Sequence, residues 1–296
     1  MVGLSLLHPT TGFSWSSFSV HPSTVIGIAA LGALYGWRAR NGEVDPVPAD
    51  PRLGTPARAP DPTRRPTGGQ MLAFIAGLAV MFFTLNGPLH DLSDFYLFSA
   101  HMVQHLLLPL VLPPLLIGGT PGWMLRPLIR PRAVRAVAEF VTRPVMCFVI
   151  FNLVIIVWHL PIFYNAAMAN HNIHIGEHLM FIAAAVLLWW PFLSPMPELP
   201  RLSYPGQLLY CFLTTLPMSV VAIYITMADH VLYPAYAAAP RLWHITPMMD
   251  QQVGGLIMWV PGSFVFYGLM TFVFFKWVAR DEDSLAAAQV DWVANR

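Results

Sequence analysis

A chain of 296 residues that is 56% hydrophobic and only 10% charged, with a mean hydropathy of +0.57, is not an ordinary soluble domain. Such domains carry roughly 25% charged residues. The net charge of +1 gives no reason to expect a nucleic-acid partner. The positions of the charges carry more information than their sum.

Seven apolar stretches, roughly 20–37, 70–86, 96–117, 144–160, 176–194, 206–228 and 252–277, are read as membrane crossings. A helix needs about 20 residues to cross a ~30 Å hydrocarbon core. The expected fold is an all-α polytopic transmembrane helix bundle of seven spans. Residues 1–19 form an outer N-terminal segment, 20–278 the bundle and 279–296 a cytoplasmic tail. The linker 38–69 is rich in Pro, Arg and Asp and cannot bury a core. The tail, Asp281-Glu282-Asp283 and then an Ala-rich run, is expected to form a short surface helix. No basic stretch precedes a cleavage site near Met1, so no removable signal peptide is expected.

The basic residues orient the bundle, because short cytoplasmic loops accumulate Lys and Arg. Arg38, Arg40, Arg52, Arg58, Arg64 and Arg65 fall in the first linker. Arg126, Arg130, Arg132, Arg135 and Arg143 follow the third span, Arg201 the fifth, and Lys276, Arg280 and Arg296 the seventh. Only Arg241 falls on the other side. The N-terminus is therefore expected outside and the C-terminus in the cytoplasm, as an odd number of spans requires.

All eleven histidines fall on the outer side. His101 and His105, four residues apart, share one helix face at the start of the third span. His171, His174 and His178, with Glu177, do the same on entering the fifth if that stretch is helical. Met248-Met249-Asp250-Gln251-Gln252 opens the last span. Gly254-Gly255 follows and permits close helix approach, within one chain or across a homodimer. His90 and His159 are placed near the cluster, whereas His8, His21, His230 and His244 are read as incidental. Cys147 and Cys211 lie in apolar spans and are read as small core hydrophobes.

A structural layer of hydrogen-bonded polar groups is one explanation for these residues. Ionisable groups inside spans usually face a partner or a cavity, which favours a site. Imidazole with thioether suits soft Cu(I). Met248 and Met249 are the thioether candidates, ahead of Met102 and Met180. Zinc is disfavoured, since the H-E-x-x-H pattern is absent. Haem b between His105 and His178 is the rival, and a copper or solute transporter is another. A retinal Schiff base is excluded because Lys276, the only lysine, lies at the cytoplasmic end of its span. Ser263 lacks the Gly-x-Ser-Gly setting of an intramembrane protease.

The segment Ser99-Ala100-His101-Met102-Val103-Gln104-His105-Leu106-Leu107-Leu108, with Pro113-Pro114-Leu115-Leu116 after it, resembles the CtaG-type cytochrome c oxidase assembly factors of bacteria. Trp158-His159-Leu160-Pro161, Glu177-His178 with Trp189-Trp190-Pro191, and Asp250-Gln251-Gln252 with Gly255 and Trp259 are similar to later motifs of that family. The resemblance spans roughly 70–278. It implies a non-enzymatic protein of the bacterial inner membrane that helps equip cytochrome c oxidase with copper.

The expected site has His101, His105, His174 and His178 as ligands, with Met248 and Met249 as thioether candidates. Gln104, Glu177, Asp250, Gln251, His90, His159 and His171 are expected to support them, by orienting imidazoles or sharing in ligand exchange. Expected partners are oxidase subunits, a periplasmic copper chaperone and membrane lipid.

Overall fold

The computed structural model of the chain describes residues 13–15, 18–41 and 65–294, with side chains described as far as Asp281. His8, Arg52, Arg58, Arg64 and Arg296 lie outside the described residues. The regular elements among the described residues are all helical.

Helix α1 (Pro22–Asn41) buries none of its residues. Helix α2 (Gly68–Thr84) starts at a capping box, in which Thr67 accepts from the Gln70 amide and the Gln70 side chain accepts from the Thr67 amide. Gly87, at φ 72°, and Pro88 break the chain into α3 (Pro88–Phe95), which bends 44° from α2.

The stretch expected as the third span is α4 (Phe98–Leu106), a π-helical turn (Leu107–Val111) and α5 (Leu112–Gly119). Its prolines account for the irregularity. Neither Pro113 nor Pro114 has an N–H, so the Pro109 carbonyl has no donor in either the α or the π register. The Trp189 indole N–H donates to that carbonyl at 2.7 Å and replaces the missing bond.

Short helix α6 (Gly122–Leu125) and a 3-10 turn (Arg126–Ile129) lead into α7 (Arg132–Val141), which buries no residue. The chain then bends 74° into α8 (Pro144–His159). Pro161 starts α9 (Pro161–Ala169), and Asn170 caps α10 (His171–Leu193) by accepting from the amides of Asn172 and Ile173. Helices α11 (Tyr204–Met227) and α12 (Pro234–Ala238) precede α13 (Pro247–Ala294). The sequence suggests a last span ending near 277 and a separate tail helix. The chain instead continues as one helix of 48 residues, because no Gly or Pro interrupts it after Gly268.

Among the described residues, four helices are long and apolar enough to cross a membrane: Phe98–Gly119, His171–Leu193, Tyr204–Met227 and Pro247–Asp281. The count rises to six if each bent pair, α2 with α3 and α7 with α8, is one span. The first of the seven expected spans, α1, is not among them. Arg38, Arg40 and a polar first turn shorten its apolar run.

The main core joins α4, α8, α10, α11 and α13 through Phe98, Met102, Phe151, Phe181, Ile225 and Phe266. Cys147 and Cys211 are free thiols within it. A Cβ on Gly254 would lie 2.4 Å from the Phe98 ring, and one on Gly255 would lie 2.2 Å from Thr226 Oγ1. The two glycines thus serve packing inside the chain, against α4 and α11.

The two ends of the bundle differ in chemistry. At one end Arg126 pairs with Glu198 at 2.7 Å, and Arg201 donates to the Ser194 carbonyl at 2.8 Å. Arg38 donates to the Trp123 carbonyl there, and Arg280 lies over the Tyr204 ring. The opposite end carries the histidines.

Candidate metal centre

Helix geometry makes the pair that the spacing suggests. His101 and His105 lie one turn apart on α4, both buried, with their Nε2 atoms 2.7 Å apart. At that distance one ring donates its proton to the other. Helix α10 faces them and supplies His174 and His178, whose rings are 4.4 Å apart. The His101 ring is 5.8 Å from that of His174 and 6.2 Å from that of His178.

Two groups of donor atoms result, each within 4.8 Å: His101, His105 and His178, and Asp94, His101 and His174. Two imidazole nitrogens on a tetrahedral ion are about 3.3 Å apart, given a bond of about 2.0 Å. The hydrogen-bonded His101–His105 pair needs to open only by a fraction of an ångström to accept one. The nitrogens His101 Nδ1, His105 Nδ1, His174 Nε2 and His178 Nε2 are buried without hydrogen-bond partners. Buried polar groups are normally satisfied, so the concentration of unsatisfied ring nitrogens here makes this cluster the candidate site.

The supporting residues take distinct positions. The Gln104 amide donates to the Thr84 carbonyl at 2.8 Å and to His90 Nδ1 at 3.2 Å, while its oxygen accepts from Ser93 at 2.9 Å. His90 Nδ1 is therefore an acceptor, and its Nε2–H faces Asp94 Oδ2 at 3.4 Å. The same Asp94 oxygen is 3.5 Å from His174 Nδ1. Glu177 is buried on α10 with Oε1 3.8 Å from His105 Nε2. The His159 ring lies behind His105, 5.5 Å away. His171 is exposed at the rim, 6.1 Å from the ring of His21.

Two expected supports touch backbone rather than imidazole. Asp250 accepts from the amides of Phe98 at 2.7 Å and Ser99 at 3.0 Å, where α4 has no cap of its own. Gln251 accepts from the Leu232 amide at 2.7 Å and donates to the His230 carbonyl at 3.1 Å, fastening the preceding loop. Both carry the site indirectly, through the elements that hold it. Met248 is partly buried, Met249 is 55% exposed, and neither lines a cavity that holds the histidines. Their place at the start of α13 is separate from the cluster, while Met102, ranked behind them on sequence, is fully buried beside it.

Sequence reasoning missed Asp94, His21 and an aromatic wall. His21, read as incidental, is buried with its ring 4.3 Å from that of His90. It lines a cavity of about 350 Å³ with His90, His171, His174 and His178 between α1, α2 and α10. The Tyr164 and Tyr236 hydroxyls meet at 2.9 Å, and with Phe98 and Tyr233 they enclose the other flank of His101. Nothing in the spacing of these residues announces them. Asp94 is the exception: it stands four residues after His90, on the same face of α3, a spacing that could have pointed to it.

A family model described as cytochrome c oxidase caa3 assembly factor matches residues 53–280. Uncharacterized proteins of Mycobacterium bovis and Mycobacterium tuberculosis are each 26% identical over 235 residues, covering 72% of this chain and 34% of their own length. One from Mycobacterium leprae is 25% identical, covering 72% of this chain and 35% of its own length. The chain spans about a third of the length of these curated relatives. No solved structure matches it. The matched stretch contains Asp94, His101, His105, His174 and His178, and the chain belongs to the family of cytochrome c oxidase caa3 assembly factors.

Proposed function

We propose that this assembly factor binds Cu(I) among His101, His105, His174 and His178 and passes it to a cytochrome c oxidase subunit alongside it in the membrane. The observation that carries this reading is the convergence of the His101, His105 and His178 donor atoms within 4.8 Å. A soft monovalent ion accepts two or three neutral imidazoles and asks for no net charge from the site. Asp94 beside His101 and His174 offers a stopping point on the way in. No bond of the protein is made or broken, so the role is delivery rather than catalysis.

The ion's route is a succession of imidazoles. From exposed His171 the ring centroids step 6.1 Å to His21, 4.3 Å to His90, 6.5 Å to His174 and 5.8 Å to His101. Each step is short enough for ligands to be exchanged one at a time. The histidine end faces outward and the arginine end the cytoplasm, in accord with the positive-inside rule. On this reading α1 completes seven crossings, the N-terminus lies outside and the protein is a multi-pass protein of the inner membrane. A periplasmic copper chaperone would meet it at the His171 rim.

Packing favours an ion over haem between His105 and His178. The His105 ring is held by His101 at 2.7 Å on one side and by Phe181 at a centroid distance of 4.5 Å on another, which leaves no slot for a porphyrin. Metal analysis of the purified chain under reducing conditions tests the reading. Copper near stoichiometry supports it. A Soret band in place of copper establishes haem, and copper uptake into proteoliposomes establishes transport.

A further inference from the structure

Below the histidine cluster, toward the middle of the bundle, lies a small cavity of about 20 Å³. Its wall includes His105, His159, Met102, Met218 and Met258, and all its other lining side chains are apolar. A space of this size holds one ion or one water. A buried water normally makes about three hydrogen bonds, and the two imidazoles are the only polar side chains in the wall.

The protonation state of His159 is fixed by its partner. Its Nδ1 lies 2.8 Å from the Ile155 carbonyl, which can only accept, so Nδ1 carries the proton. Nε2 is left with an open lone pair, buried and without a partner, on a side chain 2% exposed. Thioethers come from three sides: Met102 on α4, Met218 on α11 and Met258 on α13, all buried. Met218 lies against the bare backbone of Gly262, where a Cβ would sit 3.2 Å from its sulfur. A methionine-rich apolar pocket is usually plain packing. A partnerless imidazole lone pair in its wall is what packing does not explain.

We infer that this cavity is a second Cu(I) site, with His159 Nε2 and the thioethers of Met102, Met218 and Met258 as its ligand set and His105 shared with the histidine cluster above. The inference rests on the copper reading of the cluster and deepens it. The ion moves inward through His105, from imidazole ligands to softer sulfur ligands that hold Cu(I) against oxidation and exclude divalent ions. Occupancy of the deep site gives the chain a held ion while the upper cluster exchanges.

X-ray absorption at the copper edge tests it on the full-length chain in detergent, loaded anaerobically with one equivalent of Cu(I). Wild type is expected to show sulfur as well as nitrogen neighbours. The double variant Met218→Leu/Met258→Leu, which nearly conserves volume, is expected to lose the sulfur shell and at least tenfold in Cu(I) affinity. Met248→Leu/Met249→Leu is expected to change neither. Copper bound by nitrogen alone in wild type overturns the deep site while leaving the histidine cluster standing. A sulfur shell that survives Met218→Leu/Met258→Leu and vanishes in Met248→Leu/Met249→Leu also overturns it. A chain that binds no copper sinks both readings. If the double variant does not fold, His159→Gln with the wild-type spectrum replaces it, and an unchanged sulfur shell and affinity in His159→Gln counts against the site.

Discussion

Asp250 on α13 caps the helix that carries the histidine pair, accepting from the Phe98 amide at 2.7 Å across 152 residues of chain. The Ser99 amide bonds the other carboxylate oxygen at 3.0 Å. Leu97, at the capping position of α4, has no side-chain oxygen to offer, so the helix's first amides depend on α13. The carboxylate also lies at the positive end of the α4 dipole. Asp250→Ala should cost about 2 kcal/mol, within the range for a lost cap and a buried orphaned amide. Thermal unfolding in detergent measures it. Asp250→Asn, which keeps one acceptor oxygen, should lose less. Copper affinity should fall in step with stability across the two variants, since Asp250 acts through the placement of His101 and His105.

The histidine pair itself calls for a direct test. His101→Ala/His105→Ala removes two of the three donors in the group of His101, His105 and His178. Copper retained by the purified protein should drop by at least tenfold, and the variant should fail to restore oxidase assembly in a strain lacking the chain. Full assembly by that double variant would make the pair a structural hydrogen bond and nothing more. His230→Ala, at an exposed site outside the cluster, is the control and should behave as wild type.

Gln104 sets the orientation of His90, and through it of Asp94 and His174. With the amide gone, Gln104→Leu leaves His90 Nδ1 and the Thr84 carbonyl unsatisfied. The His90 ring is then free to turn its proton away from Asp94. Loss of such an outer hydrogen bond typically weakens metal binding about 10–100-fold. Competition with a Cu(I) chelator should show a fall in that range for Gln104→Leu. Unchanged affinity would mean that His90 and Asp94 stand outside the site.

The one-face pairs were legible in the sequence because helical spacing alone brings His101 to His105 and His174 to His178. That α4 and α10 would face each other was not legible, since spacing describes one helix and contact requires two. His21 stayed hidden for the same reason, since it reaches the cluster from α1 with no partner in its own vicinity, and Asp94 was legible only as the i+4 neighbour of His90. Asp250 illustrates a different limit. A carboxylate next to two glutamines at a helix start suggests work on a ligand, yet its nearest unmet donors were backbone amides of another helix. The break at Gly87-Pro88 and the start at Pro161 were marked by residue type, but apolar runs conceal such breaks when they are summed over a window.

Gly255 and Gly268 on α13 separate packing within the chain from association between chains. A methyl at Gly255 would sit 2.2 Å from Thr226 Oγ1 and 3.1 Å from the Ala222 carbonyl, which that hydroxyl already bonds at 2.8 Å. Helix α11 must then move away from α13, and overpacking of this kind costs about 1–3 kcal/mol. A Cβ at Gly268 meets nothing within 4 Å. There alanine gains helix propensity, about 1 kcal/mol at most. Thermal unfolding should therefore move in opposite directions, down for Gly255→Ala and up or unchanged for Gly268→Ala. A dimer face at Gly255 would give another pattern, with the dimer fraction falling and the stability of the separated chain untouched. Light scattering on the same two variants distinguishes the cases, and the contact with Thr226 predicts the first.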